Sequence, residues 1–251
     1  YDYCQRCGLA HPQVLAAVDG QGPVLLVPRE RLETDLFCKP QKGMGAFGTI
    51  SFRHEGPDRF VDEEGLPHSL DDAMAHVAQK SDGKRMLVQA WLKNHPDIAD
   101  FAKDSLVTFR VVTCRNERGE GEVVLAMLRV LAKLEPDWSD ALDEEYAAPI
   151  NLASGKLGLF TGDNMTTSPL RYVRHPLTGA RVEGRVISQW PAIRDLALAA
   201  HHAFDHRVLV GWDIGLTPEG AVLLEGNTNL DVMFLQRVHD LPAGRTRLGV
   251  L

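Results

Sequence analysis

Short apolar runs closed by proline, glycine or charge recur along the chain, and they predict strands with a few helices between them. "PVLLVP" (23–28) and "DLFCKP" (35–40) read as short strands with proline at their ends. "TISFR" (49–53) alternates and is β-branched, so it reads as a strand too. The period then changes in "SLDDAMAHVAQKS" (69–81), which predicts a helix. Ser69 caps it, Asp71 and Asp72 suit its positive N-terminus, and Ala73 and Val77 lie on one stripe. "RMLVQAWL" (85–92) returns to a strand that runs into a connection. Further on, "SLVTFRVVTC" and "EVVLAMLRVLAK" flank a polar turn at 116–121, a hairpin pattern. "EPDWSDALDEEYAAPINLASGK" (135–156) is polar and irregular and reads as a long loop, with the acidic run 140–146 facing solvent. "WPAIRDLALAAHHAFDHR" (190–207) is the strongest helix, with Pro191 in its first turn. "VLVGWDIGLTPEGAVLLEGN" (208–227) closes as a hairpin turning at Pro218-Glu219-Gly220. The result is a mixed α+β chain, divided near Leu92 into a front lobe (1–92) and a larger β-rich rear lobe (93–251).

Composition narrows the function classes. The 251 residues are 44% hydrophobic and 24% charged, enough chain for one large domain or two small ones. A net charge of −7 argues against a nucleic-acid groove. A phosphate ligand would therefore be met by a few placed cations and backbone N–H groups. No apolar run approaches the roughly 20 residues of a membrane span, so no membrane partner is expected. The chain opens as the last turn of a helix, stopped by Gly8 and Pro12, and upstream residues are expected. Cys4-x-x-Cys7, with His11 nearby, lacks the second ligand pair of a zinc site and reads as two cysteines near a helix end. Cys38 and Cys114 sit in strand-like runs as small buried hydrophobes. Together the four read as reduced thiols of a cytoplasmic protein. His201, His202 and His206 fall on mixed faces of the late helix and read as surface or satisfied core.

Candidate chemistry gathers at two places. "KPQKGMGAFGTI" contains Gly43, Gly45 and Gly48 in a G-x-G-x-x-G spacing. A dinucleotide fingerprint needs a helix after the loop, and here a strand follows. A phosphate loop of the G-x-x-x-x-G-K-[ST] kind fails because Lys42 precedes the glycines. A protein-kinase loop needs a Lys on the following strand, and none occurs between Gly48 and Lys80. What is left is a strand carrying Lys39 into a glycine-rich hairpin, able to meet phosphates through a cation and close N–H groups. The plainer reading is a tight hairpin whose glycines serve only the turn.

The second place is the last hairpin. If Pro218-Glu219-Gly220 forms a three-residue loop, Thr217 pairs with Ala221 and Asp213 stands opposite Glu225. Directly opposed residues share a face, and Asn227, two residues on, points to it as well. Two carboxylates and an amide oxygen suit Mg²⁺, a hard cation that takes oxygen ligands. The alternative is an ion pair of Asp213 or Glu225 with Arg110 or Arg129. The alignment of three ligand-type groups from one register favours the metal.

The order of these features resembles the ATP-grasp superfamily: a strand Lys with a glycine hairpin, a "LVQAWL" connection, a strand Arg in "SLVTFRVVT", and a closing "GWDIG…LLEGN". More narrowly, "LVQAWLKNHPDIADF", "TFRVVT" and "VGWDIGLTPEGAVLLEGN" look like the sugar-transfer-associated ATP-grasp family, a branch similar to α-L-glutamate ligases. The likeness runs from about residue 9 onward. It implies an ATP-grasp fold of two α+β lobes with ATP held between them and Mg²⁺ bridging its phosphates. Lys39 would contact phosphate, with Gly43, Gly45 and Gly48 forming the loop over it. Gln89, Ala90, Trp91 and Leu92 would be the segment whose backbone reads the adenine, with Trp91 packing beside the hinge. Asp213, Glu225 and Asn227 would hold the metal, and Arg110 and Arg129 would hold the transferred phosphoryl group. The family's second phosphate-contacting Lys has no counterpart before Lys39, so Arg29 or Arg31 is expected in its place. The implied reaction joins a small-molecule carboxylate to an amine through an acyl phosphate. A small-molecule kinase and a non-catalytic nucleotide-binding module are the alternatives. Self-association into a homo-oligomer is compatible with all three.

Overall fold

These apolar runs form two antiparallel sheets in the computed structural model, which describes residues 1–42, 48–102, 105–131, 145–163 and 170–250. Helix α1 (Asp2–Arg6) opens the chain. It is followed by strands β1 (Val14–Asp19), β2 (Gly22–Leu25), β3 (Leu36–Pro40), β4 (Ile50–Gly56), β5 (Arg59–Asp62) and β6 (Pro67–His68). Helix α2 (Leu70–Lys80) and strand β7 (Met86–Ala90) come next, then strands β8 (Thr108–Arg115), β9 (Gly121–Leu131), β10 (Glu145–Pro149) and β11 (Thr161–Gly162). Helix α3 (Trp190–Ala203), strands β12 (Leu209–Thr217) and β13 (Gly220–Asn227), and helix α4 (Val232–His239) complete the set. Among the described residues, no helix is long and apolar enough to cross a membrane.

Two compact units result, one of Pro12–Leu92 and one that holds Asp2–His11 and most of the chain from Lys93 onward. The opening segment goes with the second unit because Leu9 is buried in that core and the Ala10 carbonyl accepts from the Leu223 N–H at 2.8 Å.

The first unit is a seven-stranded sheet ordered β2-β1-β7-β3-β4-β5-β6, with α2 on one face. Leu36, Cys38, Met86 and Val88 alternate onto that face and pack with Ala73, Met74 and Val77 of the helix. Helix α2 begins where expected: the Ser69 side chain accepts from the Asp72 N–H while Asp72 reaches back to Ser69, a reciprocal capping box. Burial pushes the Cys38 thiol up to about 12, so it behaves as an inert hydrophobe.

The second unit is a six-stranded sheet ordered β11-β10-β9-β8-β12-β13. One face carries Phe109, Val111, Ala126, Leu128, Trp212 and Ile214 against Ile193, Ala197 and Ala200 of α3. The other carries Val112, Cys114, Met127 and Ala147 against Phe234, Leu235 and Val238 of α4. His201 is buried: its Nδ1 and the Thr113 hydroxyl are 2.7 Å apart, while its Nε2 has no hydrogen-bond partner among the described residues.

Three local expectations need correction. The "EYAAP" end of the stretch read as a loop is strand β10, with Glu145 and Tyr146 buried. Glu145 can be buried because an arginine meets its charge there. Strand β1 carries a weaker sequence signal, because its paired alanines dilute the β-branched pattern that marks a strand. The last hairpin turns through two residues, not three, since Thr217 pairs with Gly220 rather than Ala221.

Candidate functional site

The shorter turn would set Asp213 opposite Leu224 if both strands ran without interruption. They do not: between Ile214↔Leu223 and Asp213↔Glu225 the register shifts by one residue, and Leu224 is the extra one. The bulge offsets the short turn, so Asp213 and Glu225 are opposed after all, by a different route from the one the sequence suggested.

On the other side of β12, Asp213 is opposite Arg110 of β8. Strand β9 places Arg129 opposite Thr108 and Ala147, and β10 brings Glu145 two residues from Ala147. Period-2 alternation then puts Glu145, Arg129, Arg110, Asp213 and Glu225 on one face, a charged row across five strands. Asn227 joins it from β13.

Hydrogen bonds knit the row together. Arg110 grips Asp213 with two bonds, from Nε to Oδ1 and from Nη2 to Oδ2, the second at 2.8 Å. Arg129 grips Glu145 in the same two-pronged way and reaches Asp213 Oδ2 with Nη1 at 3.4 Å. Asn227 Nδ2 donates to Asp213 Oδ2 and to Glu225 Oε1, both at 3.2 Å. Such bidentate pairs fix orientation as well as charge. Burial alone would push the Asp213 carboxyl up; the Arg110 hydrogen bonds and the charges of Arg129 and Arg110 outweigh it and hold the group below the usual carboxylate range. Burial likewise would lower Arg129, and the Glu145 carboxylate more than reverses that.

Asp213 therefore stands as an ion pair with Arg110, the alternative that the sequence left open. Its Oδ2 already takes three donors, while Oδ1 takes only Arg110 Nε. Glu225 is exposed, accepts from Asn227 and lies within hydrogen-bond reach of the Asp213 carboxyl, and the Asn227 amide oxygen accepts from none of the described residues. Two carboxylates and an amide oxygen thus keep lone pairs for a hard cation, so the donor set fits Mg²⁺. Arg110 Nη1 donates to no described residue and offers two N–H groups to an anion.

In the first unit, Lys39 of β3 is half-buried, opposite Leu87 of β7, and forms no ion pair among the described residues. Phe37 is opposite Gln89, so Lys39 and Gln89 share the sheet face turned away from α2. Gln89 is 3% exposed, and its Nε2 has no hydrogen-bond partner among the described residues. A buried amide left unpaired costs on the order of 1–3 kcal/mol. Ala90 lies in β7, opposite Leu36, and the Trp91 N–H is given to Asp35 at 2.8 Å. The Trp91 ring meets Phe37 edge-on at 5.6 Å. Leu92 lies past the end of the strand, and no backbone hydrogen bond of its N–H occurs among the described residues. Gly48, at φ +74°, ends the hairpin in the left-handed region that glycine favours, while Gly43 and Gly45 lie outside the described residues. Arg29 and Arg31 are engaged elsewhere, Arg29 with Asp58 and Asp71 and Arg31 with Gln13.

Sequence reasoning missed Glu145, because a carboxylate inside an acidic run looks solvated. The signal that finds it is the small apolar run Tyr146-Ala147-Ala148 immediately after it, which marks a buried strand.

Comparison with known proteins agrees with this architecture. A family model described as "Sugar-transfer associated ATP-grasp" matches residues 1–243. No curated protein matches the chain. Among solved structures, a biotin carboxylase–βγ-ATP complex from Campylobacter jejuni matches 95% of this chain and 41% of its own, at 12% identity and TM-score 0.51. An ADP complex of N5-carboxyaminoimidazole ribonucleotide synthetase matches 91% of this chain and 43% of its own, at 10% identity and TM-score 0.51. VanG D-Ala:D-Ser ligase from Enterococcus faecalis matches 90% and 50%, at 14% identity and TM-score 0.48. The chain spans about half the length of the ligase structures it matches.

Proposed function

Since the chain belongs to the sugar-transfer associated ATP-grasp family, we propose that it is an ATP-dependent ligase joining a small-molecule carboxylate to an amine. The observation that carries the reading is the charged row on the second sheet, which has cations and hard oxygen donors side by side and, among the described residues, no nucleophile–base pair. Phosphoryl transfer asks for that: placement and charge neutralisation rather than covalent help from the protein.

Each unit contributes separate parts. On the first sheet, Lys39 would neutralise phosphate charge, and the unpaired Gln89 amide with the Leu92 backbone would meet the base. On the second, Arg110 Nη1 is the free anion donor, and Arg129, fixed by Glu145, stands beside it. Glu225, Asn227 and the remaining lone pair of Asp213 would hold Mg²⁺, which when bound neutralises phosphate oxygens. A carboxylate oxygen of the substrate attacks the γ-phosphorus and ADP leaves. The amine nitrogen then attacks the acyl carbon, phosphate leaves, and the nitrogen sheds a proton to solvent. Arg110 and Arg129 act by steadying the anionic oxygens in both steps.

The test is turnover of Mg²⁺–ATP with a panel of carboxylates and amines, following ADP, free phosphate and amide. Amide formed in step with free phosphate is expected, with Arg110→Met losing at least about 100-fold in kcat. A phosphorylated hydroxyl product without free phosphate would assign a kinase instead. Absence of any melting shift with Mg²⁺–ATP would overturn both enzyme readings.

A further inference from the structure

A second cluster of chemistry lies wholly in the first unit and uses none of the residues above. Asp62 ends β5, His68 ends β6, and His76 sits in the middle of α2. Each offers a donor atom, and the three atoms lie within 4.8 Å of one another. All three residues are half-buried. The buried Phe52 forms the floor: its ring centroid is 5.6 Å from His68 and 6.0 Å from His76, and the two imidazoles are 5.3 Å apart.

We propose that Asp62, His68 and His76 form a zinc-type metal site, with water as the fourth ligand. The donor set of two imidazoles and a carboxylate is the one that Zn²⁺ and neighbouring borderline ions prefer over Mg²⁺. The geometry brackets what ligation needs. Tetrahedral bonds of about 2.0–2.1 Å place donors about 3.4 Å apart. Asp62 Oδ2 and His68 Nε2 are 2.8 Å apart, and no pair in the group exceeds 4.8 Å. Ligation opens the first pair slightly and draws His76 inward.

The surroundings are already organised for it. Asp62 Oδ1 accepts from the Glu64 and Leu66 N–H groups at 3.0 and 2.8 Å, which fixes the carboxylate and leaves Oδ2 pointed at the histidines. His76 makes ring contacts but no hydrogen bond among the described residues, so its nitrogens are uncommitted. Asp72, one turn before His76 on α2, interacts with His68 electrostatically and adds negative charge near a bound cation. On binding, His68 Nε2 changes from donor to ligand and its ring proton moves to Nδ1. The ion would tie β5, β6 and α2 together at the edge of the first sheet.

The experiment titrates metal-stripped protein with Zn²⁺ by calorimetry, and with Co²⁺ by visible absorption, in the absence of nucleotide. One ion per chain is expected, with a Co²⁺ d–d band of the intensity that four-coordinate sites give, and a raised Tm. His76→Gln, which removes no hydrogen bond of the metal-free fold, should weaken Zn²⁺ binding at least about tenfold. His68→Gln should do the same. No binding by the unaltered chain would overturn the site. So would binding that survives both histidine changes but is lost in Cys4→Ser/Cys7→Ser. Because no ATP is present, the result is independent of the ligase reading.

Discussion

At the scale of single residues, Arg110 has two duties that substitutions can separate. It neutralises a buried carboxylate, and its Nη1 is the proposed anion donor. Arg110→Met leaves Asp213, whose side chain is 8% exposed, with only the longer Arg129 ion pair and the Asn227 amide, which should cost about 3 kcal/mol in urea unfolding. Adding Asp213→Leu removes the stranded charge and should restore most of that stability, because a well-packed apolar pair can replace a buried ion pair. ATP turnover should stay lost in both variants. If turnover returned with stability, Arg110 would be only a structural partner of Asp213, and the proposed metal role of Asp213 would fall with it. Glu145 shows the same logic from the other side. It spends both carboxylate oxygens on Arg129, so that guanidinium is aimed before any ligand arrives.

At the scale of elements, two glycines in the last hairpin make room for large side chains, Gly211 for Arg110 of the row and Gly226 for the core Trp212. A Cβ on Gly211 would lie 2.5 Å from Leu230 Cδ2 and 2.9 Å from Arg110 Cδ, while one on Gly226 would lie 2.5 Å from the Trp212 ring. Each Gly→Ala change should cost about 1–3 kcal/mol by overpacking. Their effects on turnover should part: Gly211→Ala displaces Arg110 and should lower kcat, whereas Gly226→Ala pushes a core indole and should spare it. Melting curves beside initial rates distinguish them. The opposition of Asp213 and Glu225 was legible in the sequence because a strand has period 2 and both residues interrupt apolar runs. The means of achieving it was not. A bulge at Leu224 leaves no compositional mark, since Leu-Leu reads the same in regular and bulged strand. Lys39 and its hairpin were legible from the strand that follows the glycines. The pairing of Glu145 with Arg129 was not, because the two lie on different strands and only the fold shows that they meet. The zinc-type trio was hidden for the same reason, with its residues spread over two strands and a helix.

At the scale of the molecule, buried imidazoles make stability depend on acid. Burial lowers His175 to about 4, and it lowers His201 and His239 as well. An unfolded chain protonates these rings near 6.5. Between about 6.5 and 4 it therefore holds more protons than the folded chain, and stability falls as pH falls. His175 alone should account for about 3 kcal/mol across that window. Its Nδ1 accepts from the Leu177 and Thr178 N–H groups at 3.2 and 3.3 Å, a duty that an Asn oxygen can take over. His175→Asn should thus flatten the urea midpoint against pH by close to one proton, and an unchanged slope would show that the titration lies elsewhere. The strand order of the first sheet bears on how the chain is made. Strand β7 is the last of its seven to be synthesised, yet it pairs with β1 on one side and β3 on the other. Until Ala90 leaves the ribosome, a nascent chain holds two separate ribbons, β2–β1 and β3–β6, each with an open edge that matches the missing strand. During that interval another nascent copy's β7 fits the gap as well as its own does, so crowded polysomes are where this protein is most exposed to strand exchange.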